Sequence, residues 1–510
     1  MNPKHVGRLA IFFLGLFCVF GITAAAGPPA TDFRDAFGPL TEPSVDSRHR
    51  RPDLHSRDLL AHVLFWNKVA VDASGLDHTP VAAGENRVFG HQLGPGRSSR
   101  AMAIVHIAMF DSISAATGGL QSYTGIPRAR ERTSVSAAVA QAAHDTLVAM
   151  FPSQAPKFDQ LLAFNLRLFR DDREKRRGVE LGRRAAAAIL DMREGDGAEI
   201  PEPLVDTEFI CSNDPYKWRQ DPISRAGLAM GAYWDRVTPF VLDSAEQFRV
   251  PPPPDMNSAE YTEAYNEVKR LGGDGIVTRT DRTEDQTVIG IYWAYDGTPS
   301  LCAPPRLYNQ IATHIALQRR VNGIEMARLL ALVNVAMADA GIAIWESKYY
   351  YEVWRPVTGI READAGTGPS GSGDDNSDTI GDINFSPLGA PASNLQGPNF
   401  TPPFPAYPSG HAGFGGALFQ TLRLFFGTDN IEFTFVSDEY NGETTDNQGN
   451  RRPKITRRFR TLSEAEEENG QSRIYLGIHW SFDKTEGITQ GRRVADHVYR
   501  NAFTRLRSSD

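Results

Sequence analysis

Between Leu60 and Leu506 apolar residues recur at the spacing of helix faces far more often than they alternate. That pattern predicts helices over 60–71, 98–116, 133–150, 156–170, 174–193, 307–318, 323–351, 411–426 and 484–506. In the second of these, Met102, Val105, Met109 and Ile113 fall on one face at steps of 3, 4 and 4 residues, and AAAAIL at 185–190 supplies the small side chains of close helix packing. Strand signals are confined to short runs such as 433–436. Three stretches read as long loops: proline-rich 196–258, with PPPP at 251–254; 361–400, crowded with Gly, Asp, Ser and Pro; and polar 428–470. The expectation is a mainly α protein of helical bundles, with two four-helix-bundle-like halves and long irregular loops.

The N-terminus departs from this pattern. Lys4 and Arg8 precede an apolar run from Leu9 to Ile22, followed by Ala24, Ala25, Ala26 and a Gly-Pro-Pro break, the layout of a cleaved secretory signal. The chain therefore divides into a signal over 1–26, an arm over 27–57, an N-terminal helical half over 58–284 and a C-terminal half over 285–510. A secreted or periplasmic location follows. No later run reads as apolar enough to span a membrane, so no stable insertion is expected once the signal is gone. Composition changes the picture little: of 510 residues 41% are hydrophobic, enough for a large core. The formal charge of −8 argues against nucleic acid as partner. Only Cys211 and Cys302 lie beyond the signal, so one disulfide is permitted.

Three segments of the second half carry the candidate chemistry: KYYYEVWRP at 348–356, PSGH at 408–411 and SRIYLGIHWSFD at 472–483. Together they hold what a tetrahedral oxyanion needs. Lys348, Arg355 and Arg473 supply positive charge and directed donors, Ser409 a hydroxyl, and Gly410 an unobstructed amide where a helix begins. Of the two histidines, one imidazole can coordinate or attack the central atom while the other moves protons from the opposite side.

These segments, in this order and with Lys348 seven residues before Arg355 and Arg473 six before His479, resemble the motifs of the vanadium-dependent haloperoxidases, relatives of the type 2 phosphatidic acid phosphatases. PPFPAYPSGHAGFGGALFQ at 402–420 and WAYDG at 293–297 resemble the fungal-type chloroperoxidases in particular. The resemblance is strong over about residues 285–500 and loose before that, through WNKVA at 66–70 and the helix after Arg97. It implies a vanadate (V5+) cofactor ligated by His479, with His411 as the acid–base residue. Lys348, Arg355, Ser409, the Gly410 amide and Arg473 would hold the vanadate oxygens. The implied reaction oxidises chloride or bromide with hydrogen peroxide to hypohalous acid through a peroxovanadate, Lys348 drawing charge from the O–O bond.

The resemblance also makes Trp345 and Phe404 the aromatic lining of the halide pocket; the algal bromoperoxidases carry a second histidine in place of Phe404. Asp296 would pair with Arg473, and Asp483, four residues after His479, would orient its imidazole if that segment is helical. The alternative is a secreted acid phosphatase using His479 as the phosphoryl-accepting nucleophile, since phosphate shares the shape and charge of vanadate. Elsewhere the chemistry is thinner. His106 and His144 read as core groups, Asp374, Asp375, Asp378 and Asp382 as a solvated acidic loop, and RRPKITRRFR at 451–460 as a loop or strand whose positive field would draw halide.

Overall fold

The computed structural model describes residues 58–170 and 172–506; the signal and arm expected over 1–57 lie outside the described residues. Thirteen α-helices and one two-stranded hairpin make up the regular structure. The first five helices are α1 (Leu59–Asp77), α2 (Gly94–Thr117), α3 (Val135–Met150), α4 (Ala155–Arg167) and α5 (Arg173–Met192). Next come α6 (Ala259–Leu271), α7 (Glu284–Tyr292), α8 (Pro304–Gln318), α9 (Gly323–Tyr351), α10 (Pro356–Arg361) and α11 (Gly410–Phe426). The hairpin β1 (Phe433–Asn441) and β2 (Lys454–Phe459) is antiparallel and precedes α12 (Leu462–Tyr475) and α13 (Ser481–Asn501).

Helix α9 is the axis of the molecule. Asn322 caps it in a reciprocal box with Glu325. From Leu329 to Lys348 it is buried on every side, packing against α2 of the first half and against α11 and α13 of the second. One continuous hydrophobic core therefore runs through both halves. By length and composition α9 is apolar enough to cross a membrane, which corrects the sequence reading; 94% of its most apolar stretch is buried within the protein, where such a helix serves as core.

α11 and α13 approach each other closely because glycines face each other. A Cβ on Gly491 would stand 2.0 Å from the carbonyl oxygen of Gly413, so any side chain there would push the helices apart. That approach carries the start of α11 up to the start of α13.

The expected long loop over 428–470 is largely structured, as the hairpin and most of α12. Helix α12 escaped the periodicity because the face it buries is polar: Glu466, Asn469, Ser472 and Arg473 point inward alongside Leu462, Ala465 and Ile474. Helix α6 was missed although Tyr261, Ala264, Tyr265 and Val268 fall at helical spacing behind a Ser258 cap. The stretch 196–258 holds only two short 3₁₀ turns, and 361–400 is free of regular helix beyond Arg361. Cys211 and Cys302 are not bridged. Cys302 is buried, with its sulfur 3.0 Å from the Ser74 hydroxyl.

Candidate oxyanion site

Lys348 and Arg355 flank the end of α9. The helix closes on Glu352 in the left-handed conformation (φ 55°), and the chain turns so that Arg355 caps α10 just ahead of Pro356. Ser409 caps α11, with Gly410 and His411 as its first two residues; a side chain at Gly410 would press on the Trp345 ring, 3.3 Å from its Cβ position. Arg473 stands in the last turn of α12, and His479 lies between α12 and α13. Five separate stretches of chain thus meet. Trp345, Phe404, Gly410, His411, Arg473 and His479 line one cavity, together with Asp296.

The cations are buried and only partly paired. Lys348 donates to the carbonyls of Pro405 (2.8 Å) and Ala406 (2.9 Å) and lies 5.2 Å from the centre of the Phe404 ring. Arg355 donates from Nε to the Phe404 carbonyl (2.8 Å) and from Nη1 to the Ile478 carbonyl (2.8 Å) and to Nε2 of His479 (2.9 Å). Its Nη2 has no partner. Arg473 gives Nη2 to Asp296 at 2.7 Å, while its Nε and Nη1 have none. Such donors are costly to bury alone, so this cluster is built to receive an anion.

Electrostatics agree. Burial first, then Arg355 and Arg473, push Lys348 well below the usual lysine range, the Asp483 carboxylate opposing them. Burial and the neighbouring cations likewise hold His479 and His411 well below the usual histidine range, so both are neutral near pH 7. Burial raises Asp483 to about 7, opposed by its bond from the Trp480 amide and by Lys348 and Arg355.

The two carboxylates do what was expected of them, one by a different route. Asp296 pairs with Arg473 through a single bond, not a fork. Asp483 accepts the Nδ1–H of His479 at 2.8 Å, but the helix begins only at Ser481, so this is not a helical i,i+4 contact. Asp483 reaches back from the first turn of α13, its Oδ2 also accepting the Trp480 amide at 3.0 Å. The His479 tautomer is thereby fixed with its lone pair on Nε2.

Sequence reasoning missed four contributors. The Ala294 carbonyl accepts from Nε2 of His411. Tyr308 and Asn469 both bind the His411 carbonyl, at 2.9 Å each, steadying the first turn of α11. Met230 joins the apolar wall, its carbonyl accepting from the Trp345 indole at 3.0 Å. Ala294 lies inside WAYDG but acts through its backbone carbonyl, and the other three meet partners 58 or more residues away, so no local pattern announces these contacts.

The peripheral groups resolve differently. His106 is core, bonded to the Met102 carbonyl and Asn67, whereas His144 is partly exposed between Asp145 and Asp159. Asp374 is buried and bonded to the Asn376 amide and the Thr379 hydroxyl, so that loop is not wholly solvated. The basic run is paired only in part: Arg452, Arg457 and Arg458 meet Glu439, Glu468 with Asp285, and Glu432, while Arg451, Lys454 and Arg460 are exposed. Among the described residues no group of three or more His, Cys, Asp or Glu side chains is placed to hold a bare metal ion.

Fold and site together define a helical-bundle protein with a buried oxyanion cradle of one lysine, two arginines and two histidines. Comparison with known proteins points the same way. The family model of the VCPO second helical-bundle domain matches residues 328–508. Vanadium chloroperoxidase of Curvularia inaequalis is 30% identical over 531 aligned positions, covering 87% of this chain and 81% of its own length. Solved structures share the fold. The first bacterial vanadium-dependent iodoperoxidase superposes with a TM-score of 0.66 at 23% identity, over 87% of this chain and 98% of that one. A holo-type bacterial vanadium-dependent chloroperoxidase gives 0.60 at 16% identity, over 83% and 95%. The chain belongs to the vanadium-dependent haloperoxidase family, which decides against the phosphatase reading. Vanadate is the cofactor, and the part-paired arginine donors beside the lone pair of His479 fit such an oxyanion.

Proposed function

We propose that this haloperoxidase oxidises chloride as well as bromide with hydrogen peroxide to hypohalous acid, and that the eleven residues singled out above divide that work. The observation that carries the reading is the set of unpaired N–H groups on Arg355 and Arg473, next to His479 and under an aromatic wall. His479 would hold vanadium through Nε2, since Asp483 occupies its Nδ1–H. Lys348, Arg355, the Ser409 hydroxyl, the Gly410 amide and Arg473 hold the oxygens, and Asp296 keeps Arg473 in place.

When bound, vanadate would supply a d⁰ Lewis acid able to polarise peroxide with no change in oxidation state. His411 donates its Nε2–H to the Ala294 carbonyl, which leaves Nδ1 as the base for the proton that peroxide releases on entering. With two of its three N–H groups on carbonyls, Lys348 keeps the third for an oxygen carrying developing negative charge. Trp345 and Phe404, with ring centres 4.9 Å apart, exclude water from the halide and so keep it reactive. The signal-like residues 1–26 support a location outside the cytoplasm.

The test is halogenation of a phenol dye by vanadate-loaded protein with chloride and with bromide, for the parent and His479→Ala. Chloride turnover by the parent and its loss in the variant are expected. Bromide turnover without chloride turnover would overturn the chloride reading and leave the family assignment standing.

A further inference from the structure

One fully buried carboxylate has no part in the scheme above. Glu439, on β1, is 0% exposed and stands one peptide group away from His411. Its Oε1 accepts the Tyr295 amide at 3.3 Å. The carbonyl of that same peptide group is Ala294 O, the acceptor of the His411 Nε2–H. Carboxylate, peptide and imidazole therefore form one line: Glu439 Oε1, H–N of Tyr295, C=O of Ala294, H–Nε2 of His411.

The surroundings hold that peptide in place. Oε2 of Glu439 accepts from the Ser393 hydroxyl and from Arg452 Nη1, each at 2.6 Å, so the carboxylate is anchored on the side away from the site. Just before Glu439 in the chain, the Ser437 hydroxyl donates to the Tyr292 carbonyl (2.6 Å), and the Asp438 amide donates to the Tyr295 hydroxyl (2.7 Å). Tyr295 sits at φ 47°, where a residue with a side chain is strained and needs such support. The hairpin thus grips the chain over 292–295 at three points. A hydrogen bond from its N–H to a carboxylate makes a peptide carbonyl a stronger acceptor.

We propose that Glu439 is a positioning residue for His411: through the peptide joining Ala294 and Tyr295 it keeps the Nε2–H donated and Nδ1 open to peroxide. The inference rests on the acid–base reading of His411. Arg452 is the charge partner that holds the far oxygen of the carboxylate.

The experiment uses full-length, vanadate-loaded protein and Glu439→Gln, Glu439→Asp, Ser393→Ala and His411→Ala. Glu439→Asp keeps the charge that neutralises Arg452 but withdraws the oxygen from Tyr295, so it serves if the glutamine variant folds poorly. Both Glu439 variants should raise the peroxide KM about tenfold and leave the halide KM unchanged. Ser393→Ala, which leaves Oε1 on the Tyr295 amide, should stay within about twofold of the parent. In a His411→Ala background Glu439→Gln should add little. A readout independent of turnover is the ¹⁵N spectrum of histidine-labelled, vanadate-free protein, with the His411 signals assigned by their loss in His411→Ala. The parent should show the Nε2–H tautomer, and the Glu439 variants a mixture. Folded Glu439 variants with the parent's peroxide KM and tautomer, or a Glu439→Gln effect undiminished in the His411→Ala background, would overturn the proposal. An unchanged peroxide KM in His411→Ala alone would instead remove the acid–base reading beneath it.

Discussion

Two groups of arginines set into the interior of this molecule are finished differently. In the first half Arg193 gives Nε to Asp196 at 2.7 Å and its two terminal nitrogens to the carbonyls of Pro239 and Thr238, and it stacks 4.1 Å from the centre of Phe240. Arg100 closes on the same Asp196 oxygen. Every nitrogen of the Arg193 guanidinium has a partner. In the second half Arg355 and Arg473 are at least as deeply buried, yet three of their guanidinium nitrogens have none. The lesson is one of completeness: a buried cation whose donors are all paired holds parts of the fold together, and one left part-paired among other cations is waiting for an anion.

The largest expected effect breaks the unfinished group. Arg473→Ala should lower kcat for halide oxidation about 10²–10³-fold, the usual loss when one preorganised donor to developing charge is removed. Steady-state halogenation of vanadate-saturated protein measures it, and a loss under tenfold would mean that Arg473 does not face the reacting oxygens.

A smaller effect comes from the carboxylate that sets the His479 tautomer. Asp483→Asn should weaken vanadate binding about 10–100-fold, as for other groups that orient a metal-ligating histidine. Reconstitution of the vanadate-free protein against vanadate concentration reads this directly.

The comparison also has a pH signature. With no anion at the site, burial and mutual repulsion lower Lys348, His411 and His479. A bound anion favours the protonated form of each, so binding must take up protons, and affinity must fall as pH rises through the lowered values. Sulfate is the suitable probe because its own charge is constant near neutrality. Calorimetry in buffers of differing ionisation enthalpy should show net proton uptake; proton release would contradict the assignment.

The smallest effect on the site should come from the finished group. Arg193→Met leaves Asp196 half-paired and should cost about 3–5 kcal/mol of stability. Denaturant unfolding checks that cost, and vanadate affinity of the folded variant should stay at the parent's value.

Much of this was legible in the chain. The nine predicted helices appear, with shifted ends, because their apolar faces keep a regular period. The cradle was legible because its residues fall within three short motifs whose spacing the backbone converts into geometry, such as Lys348 and Arg355 on either side of the α9 terminus. Helix α12 was not legible, since it buries polar residues and its only apolar support is a few scattered positions. The pairing of the basic run with Glu432, Glu439 and Glu468 was equally hidden: a one-dimensional count of charge cannot show which carboxylates fold against it.

By itself, then, the sequence determined the helical class, the aromatic pair Trp345 and Phe404 and which cations and histidines cluster in the interior, because these depend on residue type and local period. Tertiary structure alone decided which donors stay unpaired and that the Ala294 carbonyl accepts a hydrogen bond from His411. Each of these depends on where backbone groups distant in sequence come to rest, and no side chain in the sequence encodes that locally.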